Sequence, residues 1–352
     1  MHSTHSKHLS HLPDLSGLSN SQDLPHSLHL PRPLPLPPKI FAIVAPTASG
    51  KSTLAISLAS KLKMRIFSFD SLSIYKHISI ASAKPSNEDL AKIKHYGIDE
   101  LEPSWHCSAG VFMRIFVRAL EDIVAKSASQ TTNQANNDTS DTNGLILVGG
   151  SGFYLHSIMQ GLSPQDFTLS DEIYQKISAL ENPYAFLKSI DEISAKSIHP
   201  SDTYRLQKLL CIYFSSGMPP SEYFSTHKKT PLLPNIPIYT IDTPKDELNE
   251  RISKRTNSMI ESGLVREAKW LLDTYGSEIQ PFKAIGLKEC LQAFKSNIDL
   301  SDKQNLQNLA QNITTHTRQL AKRQRTFNRS KFPSAICLPY HRLEEKILQD
   351  FS

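Results

Sequence analysis

The stretch IFAIVAPTASGKSTLAISLASKL, residues 40–62, decides the fold. Ile40, Phe41, Ala42, Ile43 and Val44 make the short apolar run of a strand buried on both faces, and Pro46 ends it. From Thr53 onward, Leu54, Ile56, Leu58, Ala59 and Leu62 fit a helix. Between them, Ala45, Pro46, Thr47, Ala48, Ser49, Gly50, Lys51 and Ser52 follow the phosphate-loop pattern G-x-x-x-x-G-K-[ST], with Ala45 in place of the first glycine. In such a loop the backbone N–H groups and the helix N-terminus converge on an anion. Lys51 then reaches phosphate oxygens as a point charge, and the Ser52 hydroxyl is placed to ligate Mg²⁺. Alanine in left-handed backbone costs about 1–2 kcal/mol. Pro46 biases Ala45 toward extended backbone, where little is lost.

Strand, loop and helix in that order predict an α/β protein with a P-loop NTPase-like, nucleotide-kinase-like core, a parallel sheet flanked by helices. At 352 residues, 39% of them hydrophobic, the chain has room for two domains or for one core with an insertion. The net charge of +5 names no polyanionic partner without a local cluster. Cys107, Cys211, Cys290 and Cys337 stand far apart and read as buried or idle thiols of a reducing compartment. No run of about eighteen apolar residues is present, so no membrane span is expected. The N-terminal residues lack an apolar signal region, and a cytoplasmic location is expected.

Residues 1–38 hold six of the fourteen histidines and the run PRPLPLPP, which reads as a disordered, solvated tail stiffened toward its end. Next come a first part of the core (39–162), a small helical insertion domain (163–201), a second part of the core (202–332) and a C-terminal tail (333–352). RIFSF (65–69) is a second buried strand, ending on Asp70. Ligands of parallel sheets bind at the strands' carboxyl ends, so Asp70 belongs beside the phosphate loop unless it is a plain cap. The residues after it, through Pro85, lack periodicity and read as a binding loop. A helix begins at Ser108, and the polar residues 127–143 read as a solvated loop. LILV (145–148) runs into Gly149-Gly150-Ser151-Gly152, where backbone can approach a ligand and Ser151 can offer a hydroxyl; a plain turn is the alternative.

In SDTYRLQKLLCIYF (201–214) Leu206, Leu209, Leu210 and Tyr213 face inward, leaving Arg205 and Lys208 for phosphate or solvent. IPIYTI (236–241) is a further strand. Thr243 reads as an N-cap and Pro244 as the first residue of one helix running on to about residue 276. Its Arg251, Lys254, Arg255 and Arg266, interleaved with glutamates, read as an ordinary charged surface. Residues 303–342 differ, with eight Lys or Arg and no Asp or Glu. Arg318, Lys322, Arg325 and Arg329 line one helical stripe beside Arg323, and uncompensated charge of this kind predicts a nucleic-acid phosphate track. These residues permit a kinase, an NTPase or a transferase with a diphosphate leaving group.

The ordered motifs APTASGKS from Ala45, DSLSIYKHISIASAKPS from Asp70, VGGSGFYL from Val148, TYRLQK from Thr203, FKAIGLKE from Phe282 and TRQLAKRQRTFNR from Thr317 closely resemble the tRNA dimethylallyltransferase (isopentenyltransferase) family over residues 40–331. The resemblance implies dimethylallyl diphosphate bound in the P-loop with Mg²⁺, no ATP hydrolysis, and release of pyrophosphate. It implies alkylation of the N6 amine of the adenine just 3′ of the anticodon, in tRNAs reading codons that begin with U. By the same resemblance, residues 47–52 hold the diphosphate, Asp70 is the general base, and Ser151 replaces the family's usual threonine near the reaction centre. Asp70, Ser71, Leu72 and Ser73 would touch the flipped-out base. Residues 163–201 would grip the anticodon stem-loop, with Tyr204, Arg205, Lys208, Lys283, Arg318, Lys322, Arg323, Arg325 and Arg329 in tRNA-contacting segments. Ala45, Lys208 (usually arginine) and Phe327 (usually tryptophan) depart from the family pattern. A kinase on this scaffold would leave the basic stripe and the insertion without work. An RNA-binding NTPase would need a second acidic Mg²⁺ ligand and a water-positioning residue. One cleft and one stripe need no second subunit, so a monomer is expected.

Overall fold

The computed structural model describes residues 36–37, 39–132, 144–162, 170–229, 231–233 and 235–352. The expected tail, apart from residues 36 and 37, lies outside them, as do residues 133–143 of the expected polar loop and residues 163–169 of the insertion. Six strands, β1 (Lys39–Val44), β2 (Arg65–Ser68), β3 (His95–Tyr96), β4 (Gly144–Gly149), β5 (Ile238–Ile241) and β6 (Ile336–Leu338), form one sheet in the order β3-β2-β4-β1-β5-β6. Every pairing is parallel. Phe41 to Val44 are fully buried between β4 and β5, which is why β1 carries no polar alternation. The chain leaves β1 through the Lys51–Leu62 helix, skips one position to β2, and fills the gap later with β4. The registers Val44 to Gly149 and Ser68 to Val148 bring three carboxyl ends side by side: the P-loop, the Gly149–Gly152 turn and Asp70.

Several boundaries differ from expectation. The helix Ala109–Thr132 continues through residues 127–132, which had read as loop; the Ser108 hydroxyl accepts from the Val111 N–H at 3.2 Å at its start. Pro237 stands just before β5 and its carbonyl accepts from the Ala42 N–H at 2.9 Å, so an interior strand tolerates it. Thr243 does not cap: the helix starts at Lys245 after Pro244, and the buried Thr243 hydroxyl has no hydrogen-bond partner among the described residues. The long helix expected from there breaks at Gly263, whose φ of 104° is left-handed, into Lys245–Glu261 and Leu264–Tyr275.

Residues 333–352 are not a tail. β6 extends the sheet beside β5, and the helix Tyr340–Phe351 buries Leu343 and Ile347 completely in the cluster that holds Leu54 and Leu58 of the P-loop helix. Ser57 and Lys61 donate to the Glu344 carboxylate at 2.6 and 2.7 Å, and Tyr239 donates to Asp350 at 2.7 Å.

Residues 162–230 form a unit of their own. Its helices Asp171–Ser178, Pro183–Ile190, Glu192–Lys196 and Thr203–Ser216 start on the side chains of Ser170, Asn182, Asp191 and Asp202, each accepting a first-turn N–H. The boundary expected at residue 201 moves to about 230. The reason is packing: Leu206, Leu209 and Leu210 share one core with Ile177, Leu187 and Ala195. Burial works to raise the pKa of Asp191, but hydrogen bonds from Ser194 and Ser221 outweigh it and hold the carboxyl below its usual range.

Candidate active site

The three strand ends open on a cavity of about 350 Å³. Thr47, Lys51, Asp70, Ser71, Leu72, Ser151 and Arg323, all expected site residues, line it. A smaller adjoining cavity of about 70 Å³ shares Thr47, Lys51 and Asp70 and adds Ser52 and Ser73. Ala45 is fully buried with φ outside the left-handed region, and its N–H reaches the Gly149 carbonyl at 3.4 Å, so it behaves as an extended strand residue. The left-handed alanine is Ala48, at φ 62°, two residues before Gly50 at φ 91°. That strain of about 1–2 kcal/mol is held by packing of Ala48 against Leu248, Ile252 and Ala321. The Pro46 carbonyl accepts from the Lys51 ammonium at 3.3 Å, and the Ser49 hydroxyl is buried behind the loop.

Asp70 is tethered by one oxygen. Its Oδ1 accepts from the N–H groups of Leu72 at 2.9 Å and Ser73 at 3.2 Å, while Oδ2 takes no hydrogen bond from the described residues. Lys51 is pushed down to about 8, first by burial, then by the Arg255 charge, with Asp70 partly restoring it. Burial also lowers the Arg255 guanidinium, and Asp70 opposes the shift. Two cations against one carboxylate leave the cavity short of negative charge.

Arg255 corrects the reading of its helix as an ordinary charged face. Its Nη1 donates to the Thr47 hydroxyl at 3.2 Å, and Arg251 donates to the Ser49 carbonyl at 3.2 Å. A signal was available: Leu248, Ile252, Arg255 and Met259 fall on one helical stripe, so Arg255 occupies a core position. The helix Lys303–Lys331 repeats the pattern, placing Gln324 and Asn328 in line with Ile313 and Leu320. Gln324 Oε1 accepts from the Thr47 N–H at 2.9 Å. Asn328 is buried in the cavity wall with neither amide atom hydrogen-bonded among the described residues. Two glycines admit this helix: a Cβ on Gly150 would stand 2.7 Å from Gln324 Nε2, and one on Gly152 2.4 Å from Asn328 Oδ1.

The basic stripe is divided. Arg318, although exposed, donates to Ser253 Oγ at 2.9 Å, and the half-buried Arg325 donates to the Thr243 carbonyl at 2.8 Å, so neutral oxygens of the neighbouring segment already hold these two guanidinium groups. Lys322, Arg323 and Arg329 are exposed. Lys283 is exposed beside Ala284 and Ile285, which line the cavity. Tyr204, Arg205 and Lys208 belong to the 162–230 unit; there the Lys208 ammonium lies 6.0 Å from the ring centre of Tyr204, which is 56% exposed, and Arg205 pairs with Asp202 at 3.5 Å.

The model of the family described as IPP transferase matches residues 73–331. A tRNA dimethylallyltransferase of Nautilia profundicola is 44% identical over 312 residues, 88% of this chain and 99% of that one. One from Helicobacter pylori is 42% identical over 299 residues, covering 84% of this chain and 89% of its own. Among solved structures, the tRNA delta(2)-isopentenylpyrophosphate transferase of Staphylococcus epidermidis superposes with a TM-score of 0.58 at 26% identity, over 89% of this chain and 98% of that one. Sheet order, P-loop and sequence agree, and the chain belongs to the IPP transferase family.

Proposed function

We propose that this protein transfers a dimethylallyl group from dimethylallyl diphosphate to the N6 amine of the adenine 3′-adjacent to the anticodon, in tRNAs reading codons that begin with U. The observation that carries the reading is the free Oδ2 of Asp70 in a cavity shared with Lys51, Arg255 and the P-loop. The names of the relatives, tRNA dimethylallyltransferases at 42–44% identity, support it.

The chemistry follows from charge. An exocyclic amine is a weak nucleophile, so positioning and stabilisation of the departing diphosphate supply most of the rate. The N6 nitrogen forms a bond to C1 of the dimethylallyl group as the C1–O bond breaks. The electron pair leaves on the diphosphate, held by Lys51, Arg255 and the loop amides. The N6 proton passes to Asp70 Oδ2 as the new bond forms, because a carboxylate is too weak a base to ionise the amine beforehand. Ser71 and Leu72, at the same rim, suit a base swung out of its stack.

The Ser52 hydroxyl beside the smaller cavity would hold a Mg²⁺ that takes its other ligands from phosphate and water, leaving Asp70 Oδ2 to the amine. Such an ion would neutralise charge on the diphosphate. Lys322, Arg323 and Arg329, with Tyr204, Arg205 and Lys208, would meet the tRNA backbone. All cavity groups come from one chain, which suits a monomer. Among the described residues no helix is long and apolar enough to cross a membrane, and a tRNA substrate suits the cytoplasm.

The test is transfer of radiolabelled dimethylallyl from its diphosphate to unmodified tRNA without ATP, beside Asp70→Ala. Label entering tRNA, and a kcat about 10²–10⁴-fold lower in the variant, is expected. Phosphate moving from ATP to a small acceptor, with no label in tRNA, would sink the reading.

A further inference from the structure

The binding loop after Asp70 is held from two sides. On the sheet side, the Lys76 N–H donates to the Leu101 carbonyl at 2.8 Å, and the Lys84 ammonium reaches the Tyr75 carbonyl and Asp99, each at 2.6 Å. Between these anchors the backbone is left-handed at two non-glycine residues, His77 (φ 63°) and Ala83 (φ 49°), a conformation that persists only where surroundings over-determine it. The second hold comes from Glu267 on the Leu264–Tyr275 helix. Its Oε2 accepts from the N–H groups of Ser79 and Ile80 and its Oε1 from that of Ala81, all at 2.8 Å. Three consecutive donors are thus satisfied by one carboxylate. Ala81 and Ser82, next along the loop, line the main cavity, and Ser82 lines the smaller one too.

We infer that Glu267 is a positioning residue for the transfer reaction: its carboxylate fixes the Ser79–Ala81 backbone, and so sets where the Ala81–Ser82 wall stands relative to Asp70. The inference rests on the function proposed above. Glu267 lines neither cavity and touches no P-loop residue, so it bears on the geometry of reaction rather than on capture of the diphosphate. The same helix packs on the helix Leu287–Lys295, which follows the cavity residues Ala284 and Ile285. One brace therefore serves two stretches of wall. Loss of the carboxylate leaves three N–H groups without their acceptor and frees the strained backbone to relax.

The experiment uses the full chain and its Glu267→Gln and Glu267→Ala variants, read by dimethylallyl transfer to unmodified tRNA and by amide hydrogen exchange over residues 79–81. In Glu267→Ala, kcat is expected to fall about 10²-fold, the scale of a small misplacement, with KM for dimethylallyl diphosphate within about twofold of the unaltered protein. Glu267→Gln keeps one acceptor oxygen and falls between, and the 79–81 amides exchange faster in the same order. If Glu267→Ala does not fold, the isosteric Glu267→Gln decides alone. Full kcat in the folded variants, unchanged exchange, or a lost kcat without faster exchange overturns the inference while transfer by the unaltered protein stands. No transfer by the unaltered protein overturns the functional reading and this inference with it.

Discussion

The strand ends and the two helices Lys245–Glu261 and Lys303–Lys331 complete one cavity by opposite means. The strand ends contribute backbone donors, the short side chains of Thr47, Asp70 and Ser151, and Lys51 at the start of the P-loop helix, all placed by three adjacent parallel strands. The helices contribute side chains that stand on their core-facing stripes far along the chain: Arg255 and Gln324 reach Thr47 of the P-loop, and Asn328 stands against the Gly152 turn. The first wall is set by topology and survives most side-chain changes; the second exists only through the side chains themselves. Substitutions therefore separate catalysis from support more sharply on the helical wall.

The largest effect is expected at Arg255. Arg255→Met removes a partly buried cation from the leaving group, and kcat/KM should fall about 10²–10³-fold, whereas Lys254→Met, on the exposed face of the same helix, should stay near the unaltered value. Equal losses would return Arg255 to the ordinary charged surface.

Next come the two halves of the basic stripe. Replacing Lys322, Arg323 and Arg329 with alanine should lower the slope of log tRNA affinity against log salt by about 1 per residue. Arg325→Ala should leave that slope nearly intact and instead cost about 1–2 kcal/mol of stability, since its guanidinium bonds the Thr243 carbonyl. A full unit of slope lost with Arg325 would show that the stripe acts undivided.

A smaller effect is expected with pH. Lys51 sits at about 8 in the free protein, so dimethylallyl diphosphate affinity should weaken as pH rises through that value. Arg255 is one cause of the lowering, so Arg255→Met should move the inflection upward, though burial keeps it below the ordinary 10.5. The stability sign is opposite. The fold disfavours the charged amine, so the penalty is present below about 8 and is relieved between about 8 and 10.5, where the unfolded chain binds more protons. Titrations of affinity and of melting temperature check the two directions separately.

The smallest expected effect is at Asn328. Asn328→Leu removes two unsatisfied polar atoms from a buried site and should change stability by no more than about 1 kcal/mol, upward if anything. A loss of several degrees in Tm would reveal a partner for the amide.

What the sequence made legible follows the same division. Residues 40–70 carry strand, loop, helix, strand and carboxylate contiguously, so motif and topology rule together place Thr47, Lys51 and Asp70, while Ser151 comes from the separate strand at 144–149. Arg255 was read as solvated because its glutamate neighbours satisfy the pattern of an exposed face, although its register with Leu248 and Ile252 contradicts it. Gln324 lies 277 residues from the Thr47 amide it accepts from, and no local pattern encodes a bond at that range. The unit at 162–230 was cut short because hydrophobic periodicity identifies the inward face of the Thr203–Ser216 helix without saying which core receives it. Glu267 had no sequence signal beyond an acidic residue in a helix's first turn.

The Tyr340–Phe351 helix also has a bearing on biosynthesis. It covers the P-loop helix, and Ser57 and Glu344, which bond across that contact, are 287 residues apart. At roughly 5–20 residues per second of translation, that interval is on the order of 15–60 s. Throughout it the part of the P-loop helix surface that Leu343 and Ile347 later cover stays open, a natural substrate for holding chaperones. The cover on the P-loop helix is therefore completed long after the loop itself has been made.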